Sequence, residues 1–303
     1  MIAVLLAMGV ALALATRTGE GSTFLSGNNL LDVARQFSFV AIMAVGELIV
    51  ILTAGIDLSV AATLALTGVI MAKLMAWGAG VGTSILAGLL VAGLVGTANG
   101  LLVVRVKLPP FIATLGTMSI GRGLAYAVSR GHPISGLPDL FHKGIGHGLV
   151  AGLPVPILVM LAVTVIGWYL LACTRWGRYF YAVGGNEEAA RFAGVPVGTT
   201  KLLAYVLAGL TAGISAVLMT AWLGTAQSTA MTAGELDVIA AAVIGGASLM
   251  GGHGTALGAL MGAAIMGVLR NGLVLLNCPA YYRDVSVGLV IILAVALDRV
   301  RKE

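Results

Sequence analysis

The chain has 303 residues, 59% of them hydrophobic and only 10% charged, with a mean hydropathy of +1.04; this excludes an ordinary soluble domain, in which about a quarter of residues are charged. Its 43 glycines and few aromatics suit helices packed closely in a bilayer, where small residues let backbones approach, and its long unbroken apolar runs differ from the alternating pattern of a β-barrel. The net charge of +5 comes mostly from basic loop residues, so it bears on membrane topology and gives no reason to expect a nucleic-acid partner.

A spanning helix needs about 20 apolar residues, and glycine, proline or charge divides the chain into ten candidates. The expected fold is an all-α integral membrane protein with one transmembrane domain over residues 1–303. The first candidate, 2–16, is short and carries an A-x-A pattern that also fits a signal-peptide cleavage site; a retained helix is favoured, since no basic region precedes it beyond the terminus itself. The second and third, 36–54 and 58–77, flank TAGIDLS and read as two spans or as one interrupted pair. Spans 81–104 and 109–128 follow. Next comes a loop at 129–151, rich in glycine and proline and expected to form a structured cap or re-entrant segment. Beyond it lie 152–172, a polar loop at 174–201, and then 202–223, 237–250, 254–276 and 284–298. The eighth span is short and is expected to be tilted, broken or only partly spanning. Cys173 and Cys278 fall at opposite membrane faces, so no disulfide is expected.

Orientation follows from lysine and arginine. With the C-terminal RVRKE inside, Arg105, Lys107, Arg175, Arg178, Arg191, Lys201, Arg299, Arg301 and Lys302 share the cytoplasmic side. Arg17, Arg35, Arg130, Lys143 and Arg283 lie outside, which is the sense of the positive-inside rule.

The polar stretch GGNEEAARFAGVPVGTTK, 184–201, predicts a small helix over 186–193. Asn186 is a good N-cap, Glu187 and Glu188 fall where the helix dipole favours acids, and Gly194 followed by Pro196 ends the helix. Glu187 and Arg191 stand four apart and are spaced to pair, while Glu188 and Phe192 occupy the neighbouring strip. A capped two-turn helix of this kind has no core of its own and needs a partner.

Three other stretches invite chemistry. GGASLMGGHGT, 245–255, lacks the Gly-Lys-Ser/Thr of a phosphate loop and reads as a tight turn, with Gly254, Gly258 and Gly262 forming a helix-packing face. Asp139, His142 and His147 do not match zinc-ligand spacing and read as a polar surface loop. Ionisable groups within spans are costly in lipid unless paired or facing a wet cavity. Glu47, Arg122, Lys73 and Arg270 are such groups, and Asn99 and Asn271 add amides. Lys73 is expected to snorkel beside Trp77, whereas Glu47 and Arg122 fit either a solute pathway or structural pairing. GIDLSVAA (55–62) and GELDVIAA (234–241) resemble each other weakly, as an inverted repeat would. Asp57, Glu235 and Asp237 serve equally as caps of the following helices.

Taken together, GIDLSV, LPPFIATLGTMSIGRGLAY (108–126), RWGRYFYAVGGNEEAARFAGVPV (175–197) and GELDVIAAAVIGGASLMGGHGT followed by LRNGLVLL resemble the membrane permeases of ribose-type ABC sugar importers over nearly the whole chain. The resemblance implies a ten-helix permease of the bacterial cytoplasmic membrane, surrounded by lipid and paired with a second copy or a sibling chain. It would receive a monosaccharide such as ribose from an extracytoplasmic solute-binding protein, and a separate cytoplasmic ATPase would drive it. The chain itself would hold no cofactor or metal. Asn186, Glu187, Glu188, Arg191, Phe192 and Gly194 would form the coupling helix that docks on the ATPase. The path is expected along the second, third, fifth and eighth or ninth spans, with Glu47, Asp57, Ser59, Asn99 and Arg122 as its polar residues. Rival readings are permeases for nucleosides, branched-chain amino acids or a sugar-like signal molecule, a membrane enzyme acting on lipid-linked substrates, and an ion-coupled transporter using Glu47 and Asp57.

Overall fold

A computed structural model describes residues 1–18, 21–279 and, beyond these, 282, 285, 286, 288, 289 and 292. The expected span 284–298 and the RVRKE tail therefore lie outside the described residues, apart from isolated positions. The described chain is mostly helical, with two small β-hairpins, and six of its helices are long and apolar enough to cross a membrane.

Helix α1 (Ile2–Ala15) leads through a hairpin, β1 (Arg17–Thr18) and β2 (Gly21–Ser22), into α2 (Gly27–Leu52). Helix α2 begins well before the expected residue 36. Ser26 caps it by accepting from Asn29 N–H at 3.4 Å, and Arg35 pairs with Asp32 at 2.8 Å. The polar stretch NNLLDVARQ interrupts the apolar run without interrupting the helix. Beyond the break at 53–59, α3 (Val60–Ala76), α4 (Val81–Val104) and α5 (Pro110–Ser129) follow the expected boundaries to within two residues.

The loop after α5 is structured, as expected. A π-helical segment, Leu140–Gly146, packs on the later helix α9 through the fully buried Phe141, and a hairpin of β3 (Leu149–Val150) and β4 (Leu153–Pro154) leads into α6 (Val155–Cys173). The polar loop holds two helices where one was expected: α7 (Arg175–Gly185) and α8 (Glu187–Phe192). The unexpected helix, α7, mixes arginines with aromatics, so it shows no apolar run. Its strongly one-sided pattern still buries Gly177, Phe180 and Val183.

Helix α9 (Val197–Leu223) starts earlier than expected because the turn VGTTK is helical. Helix α10 (Gly234–Ile244) starts before residue 237 and stops short of 250. It is too short to span, because a glycine-rich turn follows in which Gly246, Gly251, Gly252 and Gly254 all take positive φ. Helix α11 (Ala256–Leu275) is capped by Thr255. Gly258 and Gly262 form a packing face as expected, since a side chain at Gly258 would strike the Gly245 carbonyl and one at Gly262 the Ala241 carbonyl; Gly254, expected to share that face, lies in the turn before the helix.

The core lies around α2 and α9. From Ala41 to Leu52 every residue of α2 is buried, and α9 packs on α2, α3 and α4.

Candidate functional site

The break between α2 and α3 organises the most polar part of the interior. Thr53 caps α2, Ala54 takes a left-handed φ of 58°, and the Asp57 N–H donates to Glu47 Oε1 on α2 at 3.0 Å. Asp57 Oδ1 accepts from the Ser59 N–H at 2.8 Å and from the Ser59 hydroxyl at 2.6 Å. Asp57 thus makes a turn at the start of α3, the local bonding typical of a short acid before a helix. Ser59 occupies the N-cap position, but its side chain makes no cap bond.

Asn99 on α4 joins this cluster. Its amide donates to Ser59 Oγ at 2.8 Å and to both Asp57 oxygens at 3.3 Å, and its carbonyl accepts from Thr117 of α5 at 2.6 Å. The neighbouring Thr114 hydroxyl donates to the Ile56 carbonyl at 3.2 Å. Glu47, Asp57, Ser59 and Asn99 are each at most 1% exposed, so in this conformation they are sealed inside the bundle. Glu47 Oε2 and the Tyr205 hydroxyl of α9 have no hydrogen-bond partner among the described residues, and Tyr205 stands beside Gly55 of the break.

Arg122 lies apart from this cluster and does not pair with Glu47. Its guanidinium donates from Nη1 to the carbonyls of Ser228 (3.2 Å) and Ala230 (2.7 Å), and from Nη2 to that of Met231 (3.1 Å). A single side chain on α5 thus pins the segment between α9 and α10. An isolated bridge between Ile134 and Ala226 holds the same segment to the long loop. Neither Glu235 nor Asp237 caps α10. Asp237 instead binds Arg270 of α11, whose Nη2 donates to its two oxygens at 2.7 and 2.6 Å. Asn271 pairs with Asn29, and Lys73 stands 5.6 Å from the centroid of the Trp77 ring.

The small helix α8 has the caps read from its residues. The Asn186 side chain accepts from the Ala189 N–H at 2.9 Å. At the other end the N–H groups of Gly194 and Val195 donate to the carbonyls of Arg191 and Ala190, and Gly194 takes φ +82°. This is the paired closure that a left-handed glycine permits. Glu187 accepts from Arg191 at 3.0 Å and from Lys201 of α9 at 2.6 Å. The bond from Lys201 chiefly holds its carboxyl below the usual range, against a smaller opposing effect of burial. Ala190 packs against Val183 of α7 and Val197 of α9, while Phe192 is 89% exposed.

Helix α7 connects this surface unit to the bundle. The Tyr181 hydroxyl donates to the Gly254 carbonyl at 2.7 Å, and Gly184 lies so close to the Leu52 carbonyl and the Gly252 N–H that a side chain there would collide with both. The Gly252 N–H in turn donates to the Leu52 carbonyl at 3.1 Å. The end of α2, the end of α7 and the glycine-rich turn therefore meet backbone to backbone.

In the long loop Asp139 pairs with Lys143 at 2.8 Å, and that bond lowers its carboxyl. His142 and His147 bond the Ala221 and Trp222 carbonyls. Among the described residues no group of three or more His, Cys, Asp or Glu is placed to hold a metal. Cys173 and Cys278 are free thiols.

Thr114, Thr117 and Tyr205 were not singled out from the sequence. Hydroxyls in apolar helices are common, and only their positions against Ile56, Asn99 and Gly55 respectively distinguish Thr114, Thr117 and Tyr205.

Comparison with known proteins places this geometry in context. The family model described as "Branched-chain amino acid transport system / permease component" matches residues 29–295. The chain is 44% identical to the ribose import permease of Haemophilus influenzae over 91% of its own length and 86% of the relative's. It is 40% identical to the D-allose transport system permease of Escherichia coli, over 91% and 85%. With the fructose import permease of Rhizobium meliloti it shares 37% identity, over 92% and 80%. No solved structure matches significantly.

Proposed function

Because the chain belongs to the branched-chain amino acid transport system / permease component family, we propose that it is the permease subunit of an ATP-driven, binding-protein-dependent monosaccharide importer. It is a transport subunit and not itself an enzyme. The observation that carries the solute class is that relatives matched over nearly the whole chain are named for ribose, D-allose and fructose. The family title names branched-chain amino acids, but these individual relatives point to sugars, with ribose the first choice.

In this reading the protein is a ten-span permease of the bacterial cytoplasmic membrane with its C-terminus inside. It forms one transmembrane domain with a coupling loop at 174–201 and an extracytoplasmic loop at 129–151. It works beside a second copy or a sibling permease, and lipid meets the exposed α4 stripe of Leu86, Leu90 and Leu94. Asn186, Glu187, Glu188, Arg191, Phe192 and Gly194 dock on the ATPase. A large apolar ring exposed on a capped helix, with an acid on the neighbouring strip, fits the groove of a soluble partner better than water. Arg122 stands nearest the solute. Glu47, Asp57, Ser59 and Asn99 form the polar joint behind it, at the break between α2 and α3.

Reconstitution in liposomes with the neighbouring genes' ATPase and binding protein tests this reading. ATP-dependent uptake of ribose, allose or fructose is expected, with no uptake of leucine or a nucleoside. Transport of leucine alone would replace the sugar reading with the amino-acid one. Uptake driven by a proton gradient without ATP would overturn both.

A further inference from the structure

A recess of about 480 Å³ opens between α5 and the segment leading into α10, within the roughly 300–1,000 Å³ usual for small-molecule sites. Arg122 and Tyr126 line it on α5, and Ser228, Thr229, Thr232 and Glu235 line it from the facing segment. Four of these six side chains carry hydroxyls, and Tyr126 is 62% exposed. Gly123 completes the α5 side, and a side chain built there would meet no atom within 4 Å, so the absence of a side chain at this position keeps the recess open. The Arg122 bonds to the three carbonyls hold the opposite wall in place.

Glu235 is the informative residue. It shares the recess with Arg122, whose guanidinium donates to the carbonyls of Ser228, Ala230 and Met231 and not to the Glu235 carboxyl. Its Oε2 is buried and has no hydrogen-bond partner among the described residues. A carboxyl oxygen without a donor is costly at membrane depth. Tyr126, Ser228, Thr229 and Thr232 bring hydroxyls to the same recess, beside the apolar Met118 and Ala233, a mixture of polar groups and apolar faces that matches a polyol ring. An aromatic face and several hydroxyls around one acid would suit a sugar ring better than an amino acid. The latter would need its own ammonium and carboxylate matched, and here the single guanidinium is already engaged.

We propose that this recess is a monosaccharide-binding station on the transport route, in which Glu235 accepts a sugar hydroxyl and Thr229, Thr232 and Tyr126 contact the rest of the ring. The inference rests on the sugar-importer reading and deepens it. The recess lies near the C-terminal end of α5, the end that the proposed orientation puts outside, where solute released from a binding protein would arrive.

Proteoliposomes holding the whole importer and radiolabelled ribose provide the test. Glu235→Gln removes one hydrogen bond to a charged group and is expected to lower uptake about tenfold. Gly123→Leu projects a bulky side chain from a position where an added Cβ meets no atom within 4 Å, and it is expected to block the recess and abolish uptake. Both variants should assemble with the ATPase and still respond to the loaded binding protein. Gly82→Leu, at another helix position open to its surroundings, is expected to transport normally. A second measurement reads the site without relying on transport loss. In a background with Cys173 and Cys278 replaced by serine, Thr232→Cys should react with a membrane-impermeant thiol reagent from outside. Ribose-loaded binding protein with ATP should slow that reaction, and ligand-free binding protein should not. If wild type transports ribose and both Glu235→Gln and Gly123→Leu transport equally well, the station is overturned while the importer reading stands. If wild type takes up none of the three sugars, both are overturned.

Discussion

Asn99 shows how much depends on one side chain in a dry interior. It reaches from α4 to the break, where it supplies donors to Asp57 and Ser59 while accepting from Thr117. An apolar isostere takes a donor from the buried Asp57 carboxyl and from the Ser59 hydroxyl at once, while Thr117 keeps its bond to the Thr114 carbonyl, so Asn99→Leu is expected to destabilise the protein by about 1–3 kcal/mol. Thr117→Val removes one of these bonds and should cost about 1 kcal/mol. Thermal unfolding of the purified protein in detergent checks both, and equal, negligible shifts would mean that the network is held by packing alone. Glu47, Asp57 and Asn99 stand out in the sequence because polar groups within apolar spans are expensive. Their shared contact is not legible there, since it joins residues from three separate segments. Arg122 was equally conspicuous, but its partners are backbone carbonyls, which leave no trace in side-chain identity.

At the scale of the element, α8 is the part most fully legible in the sequence, because caps are local and each leaves a residue signature. Asn186, Gly194 and the Glu187–Arg191 spacing all appear as read. Lys201 as a second partner for Glu187 arrives from α9, fourteen residues away, and could be known only from the fold. Since Glu187 is held below the ordinary glutamate value of about 4.3, its contribution is intact above that pH and is lost as the pH falls through the lowered folded value. The protection of the amides of Ala189 to Val195 against hydrogen exchange, taken relative to the intrinsic rate at each pH, should therefore fall below about pH 4. Glu187→Gln should be less protected at neutral pH and lose that extra fall. The partly exposed position keeps the effect modest and weaker in high salt. Helix α7 went unread for the opposite reason: its helical face shows only in the spacing of Phe180 and Val183 among arginines and aromatics. The early end of α10 had a local cause in the glycines after Ile244, but a length rule for spans extends the segment through them.

Across the whole molecule, the exposed ring of Phe192 and the buried joint at Asp57 lie at opposite ends of one continuous set of contacts. It runs from α8 through α7 to the end of α2 and then into the break. Phe192→Ala should leave insertion and fold intact while weakening ATPase capture and solute-stimulated hydrolysis. Gly184→Val should retain ATPase capture yet lose uptake, because it wedges α7 away from α2. Pull-down of the ATPase beside an uptake assay separates the two effects, and identical phenotypes would mean that α7 is not the link.

The meeting of Leu52, Gly184 and Gly252 carries a consequence for how such a protein can change over time. Where two surfaces touch through side chains, a substitution on one can be absorbed by a substitution on the other, and the strength of the link drifts by small steps. Here main chain rests on main chain, with no methyl groups to trade. Gearing between the surface unit of α7 and α8 and the helical bundle therefore has few intermediate settings. Altered solute range or turnover would have to arise elsewhere, in the walls of recesses and on the docking face, while this contact admits almost no variation that keeps it working.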